Sequence, residues 1–262
     1  MKLLAIGDIF GRPGREALAA LLPGLIREHG VGFVVVNGEN AAGGKGITCK
    51  IADELFSLPI DVITSGNHIW EKEELIPYLD SRPILRPHNV DPSLPGKGWG
   101  IFALRSGMRI AVVSLQGVVH MEGKGKKSSD PFQSVDALIA DLSKRSDAIL
   151  IDFHAEATSE KRAIAWYVNG RVTALVGTHT HVQTADESIM SGGTAYISDL
   201  GMTGPHDSVI GLDKDVALHR FLTGDKRKFK VADAGVRVEG VVIDIDDKNG
   251  HALSIVRIKK SI

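Results

Sequence analysis

The chain has 262 residues and a formal net charge of −1, with 31 Lys and Arg against 32 Asp and Glu, 43% hydrophobic residues and 24% charged ones. That length can bury a sizeable core, and the charge balance excludes the global basic field of a protein that grips nucleic acid along one face. The one cysteine, Cys49, excludes an internal disulfide and a multi-thiolate metal site, while the opening MKLLAIG reaches Asp8 too soon for a signal peptide or a membrane span.

Residues 2–7 form a short apolar run that predicts a strand closed by Gly7 and Asp8. A helix is expected from Arg12 to His29, where Ala, Leu and Ile recur at helical spacing and Pro13 falls in the first turn. Phe33 to Val36 reads as a strand buried on both faces, ending in Asn37-Gly-Glu-Asn40. The glycines from Gly43 to Gly46 suggest a tight turn, since Gly44 stands where a Walker loop needs lysine. Thr48 then caps a helix through Leu58, Ile60 to Thr64 is a third strand ending in Ser65 to His68, and a further helix is expected from Glu71 to Leu79. Alternating strands and helices with short connections predict a largely parallel sheet with crossover helices.

Four prolines, Pro83, Pro87, Pro92 and Pro95, punctuate a loop-rich connection to a hairpin of Trp99 to Leu104 and Met108 to Leu115, turned at Ser106-Gly107. The polar segment 120–130 carries Lys124, Lys126 and Lys127 and is best read as a solvated loop. A helix from Phe132 to Ser143, a strand from Ala148 to Phe153, a helix from Ser159 to Val168 and a strand from Ala174 to Val176 follow. After a strand at Ala195 to Ser198, the segment DLGMTGPHDSVIG reads as a Gly-rich loop, then come a helix near Asp215 to Leu222 and strands at Val236 to Ile245 and Ala252 to Ile258. No repeat or linker divides the chain, so one cytoplasmic domain over residues 1–262, built on two sheets, is expected.

The strand ends carry the chemistry. Asp8, then Glu39 with Asn40, then Asn67 with His68, then His154, then His179 with His181 each follow an apolar run. In open α/β sheets the carboxyl ends of the strands share one edge, so these side chains converge. Singly, each Asp, Asn or His is accounted for by turn chemistry or capping. Together they offer carboxylates, amides and imidazoles in numbers too large for one ion, and oxygen and nitrogen donors without thiolate suit iron or manganese, with zinc as an alternative. Two ions ~3.5 to 4 Å apart can clamp a phosphoryl oxygen and acidify a shared water toward a pKa of ~7 for in-line attack. An unligated histidine beside them can protonate the leaving alkoxide.

The motifs GDIFGRPGR (Gly7 to Arg15), NGEN, GNHIW (Gly66 to Trp70), DFHAE (Asp152 to Glu156), GTHTHVQTAD (Gly177 to Asp186) and GMTGPHDSVIG (Gly201 to Gly211) resemble the YmdB-like branch of the calcineurin-type dinuclear metallophosphoesterases. The resemblance runs through most of the chain. It implies a four-layer α/β/β/α fold with two central sheets flanked by helices, a di-iron or di-manganese centre and 2′,3′-cyclic-nucleotide phosphodiesterase activity. It also implies that Asp8, Glu39, Asn40 and His181 hold one metal, that Glu39, Asn67, His154 and His179 hold the other with Glu39 bridging, and that His68 is the proton donor. Phe10 stands where the broader superfamily's opening Asp-x-His has its histidine, which makes Asn40 the substitute ligand. A third ligand on the second ion is the competing role for His68.

The expected partner is a small phosphodiester, a cyclic nucleotide or an RNA end, with no membrane and no stable nucleic-acid complex; a homo-oligomer is compatible with the chain. Phosphomonoesterase action at the same site, or a metal-bound regulatory scaffold, are the rival expectations. His88, His120 and His206 lie on loops that could border the cleft.

Overall fold

The computed structural model describes residues 1–104, 106–121, 127–225 and 227–262. Lys124 and Lys126 lie outside the described residues. Two sheets dominate. In the first, β1 (Lys2–Ile6), β3 (Val31–Asn37) and β4 (Val62–Thr64) run parallel. β1 also pairs antiparallel with β12 (Val236–Ile245), which pairs with β13 (Ala252–Ser261) and with β11 (Met202–Pro205), and β11 runs beside β2 (Asp8–Ile9). In the second, β6 (Arg109–Gln116), β7 (Ala148–His154), β8 (Ala174–Thr178) and β10 (Ala195–Ile197) are parallel. Antiparallel edges close it, β5 (Trp99–Ala103) on one side and β9 (Ser188–Ile189) on the other.

The pleat of β1 explains why there are four layers. Leu4 and Ile6 point outward to pack on Leu18 and Leu22 of α1 (Gly11–His29) and Leu55 of α2 (Cys49–Phe56). Leu3 and Ala5 point the other way, into an inter-sheet core with Phe33, Val35, Val112, Leu150 and Val176. Successive side chains of a strand alternate faces, so one five-residue run serves two cores. On the far face of the second sheet, Val113, Ile151 and Leu175 pack on Val135 and Leu138 of α4 (Pro131–Leu142) and Ile164 of α5 (Thr158–Val168). The order is α/β/β/α, as expected. Because β7 and β8 are buried along their whole length, they read as continuous apolar runs rather than alternating ones.

Local signals set most boundaries. Thr48 caps α2 by accepting the Ile51 N–H, and Asp130 caps α4 through the Phe132 and Gln133 N–H groups. Gly30 ends α1 in the left-handed conformation, its N–H donating to Ile26 O.

Two expectations are corrected. The helix from Glu71 to Leu79 is instead a single 3₁₀ turn, Glu73–Leu75, and a one-turn helix α3 (Tyr78–Ser81), because Pro77 cannot donate within a continuous helix. The Gly-rich loop after Asp199 contains β11, a strand held by Met202 against Asp8, Thr203 against Ile9 and Gly204 against Arg237. Its glycine and proline conceal it locally; its pairing partners are remote in sequence.

Close approach at Gly240 generates a test. A Cβ there would lie 2.2 Å from Ala5 O in the neighbouring strand, whereas one at Gly24 in α1 would meet nothing within 4 Å. Gly240→Ala is expected to lower unfolding free energy by about 1–3 kcal/mol, and Gly24→Ala to raise it by about 0.5–1 kcal/mol, both read by urea denaturation.

Candidate metal centre

The carboxyl ends of β1, β3 and β4 in one sheet and of β7 and β8 in the other meet at one end of the sandwich. Asp8, Glu39, Asn40, Asn67, His154 and His181 are buried there, with His68 and His179 partly exposed. All eight of the residues singled out in the sequence are in this region, seven of them in two groups and His68 beside them.

The first group surrounds His154 Nε2. Asn67 Oδ1 lies 3.0 Å from it, Glu39 Oε1 3.1 Å and His179 Nδ1 3.0 Å. One N–H cannot serve three acceptors, and among the described residues the buried Glu39 Oε1 makes no hydrogen bond of acceptable geometry and the buried Asn67 Nδ2 has no partner. Glu39, His154 and His179 each offer a donor atom within 4.8 Å of the others. Burial opposes charge on both partners of the central pair. Even so, the charge and hydrogen bond of His154 bring Glu39 down to about 2, and Glu39, Asp8 and Asp152 bring His154 up to about 9. The cluster therefore favours positive charge at its centre. A cation is what all four donors fit.

The outer nitrogens fix which lone pairs face inward. His154 Nδ1 is 2.9 Å from Thr178 Oγ1, and that hydroxyl donates to Asp152 Oδ1 at 2.7 Å, so it accepts the ring N–H and leaves Nε2 for the cluster. His179 Nε2 faces Glu156 Oε2 at 3.1 Å, which leaves Nδ1 inward. At Gly66 a Cβ would sit 2.0 Å from His154 Cδ2, so only glycine lets the His154 ring occupy its place.

In the second group, Asn40 Nδ2 donates to Asp8 Oδ1 at 3.1 Å and lies 3.1 Å from His181 Nε2, with His181 Nε2 3.7 Å from Asp8 Oδ1. A half turn of the amide presents Asn40 Oδ1 to the same point. His181 Nδ1 donates to Ile210 O at 3.0 Å, so Nε2 faces inward here too. Burial raises the Asp8 carboxyl pKa, yet the His181 hydrogen bond, the charges of His181 and His154 and the His179 N–H outweigh it and hold Asp8 well below the usual range. Phe10 packs edge-on against His181, ring centroids 5.3 Å apart.

The loop between the groups is not extended. His179 has φ 104° and His181 φ 64°, both in the left-handed region that β-carbon-bearing residues avoid. This sends His179 to the Glu39 group and His181 to the Asp8 group. A buried ion pair holds the turn: Lys161 Nζ donates to Asp199 Oδ2 at 2.6 Å and to Thr178 O at 2.8 Å, while Thr180 N–H reaches the same Asp199 oxygen at 3.1 Å. Gln183 Nε2 pins the following residues to Gly240 O and Ile258 O.

His68 stands apart from both groups. Its backbone N–H donates to Glu39 Oε2 at 3.1 Å, its Nδ1 is 3.3 Å from Glu71 Oε1, and its side chain is 20% exposed. Sequence reasoning assigned nothing to Asp152, Thr178, Glu156 or the Ile210 carbonyl, which set the rings. The strand-end motifs DFHAE and GTHTHV contain three of these positions, but spacing alone does not reveal which partner each ring chooses.

A model of the family described as "YmdB-like protein" matches residues 4–258. A Bacillus subtilis (strain 168) protein named 2′,3′-cyclic-nucleotide 2′-phosphodiesterase is 46% identical over 259 residues, spanning 98% of this chain and 96% of its own. The crystal structure of a novel phosphatase from Mycoplasma pneumoniae superposes with a TM-score of 0.93 at 33% identity, covering 100% of this chain and 93% of that one. A Candida albicans 5′-nucleotidase shares the fold alone, with a TM-score of 0.60 at 13% identity over 98% of this chain and 51% of its own. By the family match across nearly its whole length and by the identity of these two full-length relatives, the chain belongs to the YmdB-like protein family.

Proposed function

We propose that the chain is a metal-dependent phosphoric diester hydrolase, one domain over residues 1–262, acting on small phosphodiesters with 2′,3′-cyclic nucleotides as the leading substrate class. The observation that carries this reading is the crowding of His154 Nε2 by Asn67, Glu39 and His179, more acceptors than one proton can serve. The name of the Bacillus subtilis relative supports the substrate class. Asp8, Glu39, Asn40 and His181 are assigned to one ion and Glu39, Asn67, His154 and His179 to the other, with Glu39 between them. Nitrogen and oxygen donors without thiolate suit iron or manganese, and zinc as an alternative.

A bound pair of such ions supplies Lewis acidity toward a phosphoryl oxygen and acidifies water toward a pKa of ~7. The chain's own residues do the rest. Asp8 and Glu39 bring fixed negative charge, and Thr178, Glu156 and the Ile210 carbonyl hold three imidazoles with their lone pairs inward. With Nδ1–H of His68 turned to the Glu71 carboxylate, the ring acts as the imidazolium, and its second proton, on Nε2, is the one delivered to the leaving ribose oxygen. Hydroxide adds to phosphorus, the P–O bond to that oxygen breaks, and the departing oxygen takes the His68 proton, leaving a phosphomonoester beside a free hydroxyl. Among the described residues no helix is long and apolar enough to cross a membrane.

A second reading, hydrolysis of phosphomonoesters at the same site, is favoured by the description of the Mycoplasma pneumoniae relative as a phosphatase. A faster rate on p-nitrophenyl phosphate than on bis(p-nitrophenyl) phosphate and 2′,3′-cyclic AMP would select it.

Elemental analysis of the purified protein should find about two metal ions per chain. Chelation should abolish 2′,3′-cyclic AMP hydrolysis and Mn²⁺ or Fe²⁺ should restore it; undiminished turnover after complete chelation sinks the reading. His68→Gln should retain its metal and lose roughly 10²-fold or more in turnover; loss of metal instead would make His68 a ligand. Thr178→Val removes the hydroxyl that orients His154, and competitive metal titration should show about 10–100-fold weaker binding.

A further inference from the structure

On the edge where β4 and β5 leave the two sheets open, a cavity of about 770 Å³ lies between residues 80–88, β5 with the segment leading into it, and Arg145. That is the size of a small-molecule site, roughly 300–1,000 Å³. It shares no residue with the cluster around His154. Its lining has four cations, Arg82, Arg86, Lys97 and Arg145, against one acid, Asp80, in a chain whose net charge is −1.

Arg86 is the unusual member. Its side chain is buried, with the residue 5% exposed, and its guanidinium meets only carbonyls: Nε donates to Gly96 O at 3.1 Å, and Nη1 to Pro87 O at 2.8 Å and His88 O at 3.3 Å. Among the described residues no carboxylate comes within ion-pair distance of it, and its Nη2 has no acceptor. A buried charge without a counter-ion is costly, and an anion bound in the cavity would lower that cost. Burial already pulls the Arg86 pKa down, with Asp91 only partly offsetting it.

The rest of the lining says what accompanies the anion. Lys97 is exposed, bridged to Leu85 just before β5, its carbonyl accepting the Arg86 backbone N–H at 3.0 Å. Trp99, half-buried, has the Arg145 guanidinium 5.1 Å from its ring centroid, while Phe102, also in the lining, packs on the opposite face of β5 against the inter-sheet core. Guanidinium and ammonium groups recognise phosphate, and an indole face under a guanidinium recognises a flat ring.

We propose that this cavity is a second ligand site, separate from the metal centre, that takes a nucleoside monophosphate with its phosphate on Arg86 and Lys97 and its base on Trp99. The site stands whether or not the metal-centre reading is right.

The test titrates the metal-loaded protein with 5′-AMP and, separately, with inorganic phosphate, reading calorimetry and tryptophan fluorescence. Wild type should bind AMP with a fluorescence change that Trp99→Phe removes. Lys97→Glu should weaken that binding roughly tenfold or more while diester turnover stays unchanged. Arg86→Gln should abolish it, with thermal melting as the control for folding; because Lys97 and Trp99 are not deeply buried, their variants decide the matter if Arg86→Gln unfolds. An AMP isotherm identical in wild type and Lys97→Glu overturns the site. Equal affinity for phosphate and AMP overturns the placement of the base on Trp99.

Discussion

One buried carboxylate joins the two sheets at the end where the chemistry gathers. Asp152, the last but two of β7, accepts the Thr64 hydroxyl at 2.5 Å and the Asn37 amide at 3.1 Å from the first sheet, and the Thr178 hydroxyl at 2.7 Å from its own. Along most of their length the sheets meet through apolar side chains, which fix separation but not register, with Ser114 Oγ donating to Ser65 O at 2.6 Å as a further polar link. Hydrogen bonds are directional, so this polar knot sets how the strand ends oppose each other. Burial pushes the Asp152 pKa up to about 6 against the pull of the two hydroxyls. Through Thr178 the knot fixes the His154 ring, and through Asn37 Oδ1, which accepts the Glu39 N–H at 3.2 Å, it fixes the start of the segment carrying Glu39.

The opposite side of the cluster depends on a second buried device. Two non-glycine residues with positive φ in one short turn store strain of order 1–3 kcal/mol each, and His179 and His181 are both of this kind. The Lys161–Asp199 pair, its side chains 0% and 2% exposed, is what opposes relaxation. An ion pair taken out of water contributes little net stability, but removing one partner strands the other, so the pair acts as a rigid latch on the turn. Its remaining hydrogen bonds go to Thr178 O and Thr180 N–H of that turn and to Gly201 N–H, two residues beyond Asp199 itself. The strain is thereby converted into the separation of the two imidazoles.

Much of this was legible in the residues. Apolar runs with helical or continuous spacing located the α/β/β/α elements, and the ligand-type residue after each of five strands located the site, because strand ends share an edge whatever the details of packing. The helix expected at Glu71 to Leu79 and the loop that became β11 show where this reading stops. In the first, Pro77 outweighs the periodicity; in the second, remote partners turn a Gly- and Pro-containing segment into a strand.

The sequence alone determined the inventory of donors, the order in which they occur and the sheet end to which they belong. These follow from local rules: strand periodicity, glycine at the turns, and the chemistry of each side chain. Only the tertiary structure decided which nitrogen of each histidine faces inward, and that Asp152, Lys161 and Asp199 hold them there. Those choices rest on contacts between different elements, 23 to 38 residues apart for the partners of the three rings and the Lys161–Asp199 pair and more than a hundred for Asn37 with Asp152 and Asp8 with His179. Burial decides them as well: the energy of a charge depends on what surrounds it in three dimensions, and no local pattern encodes that.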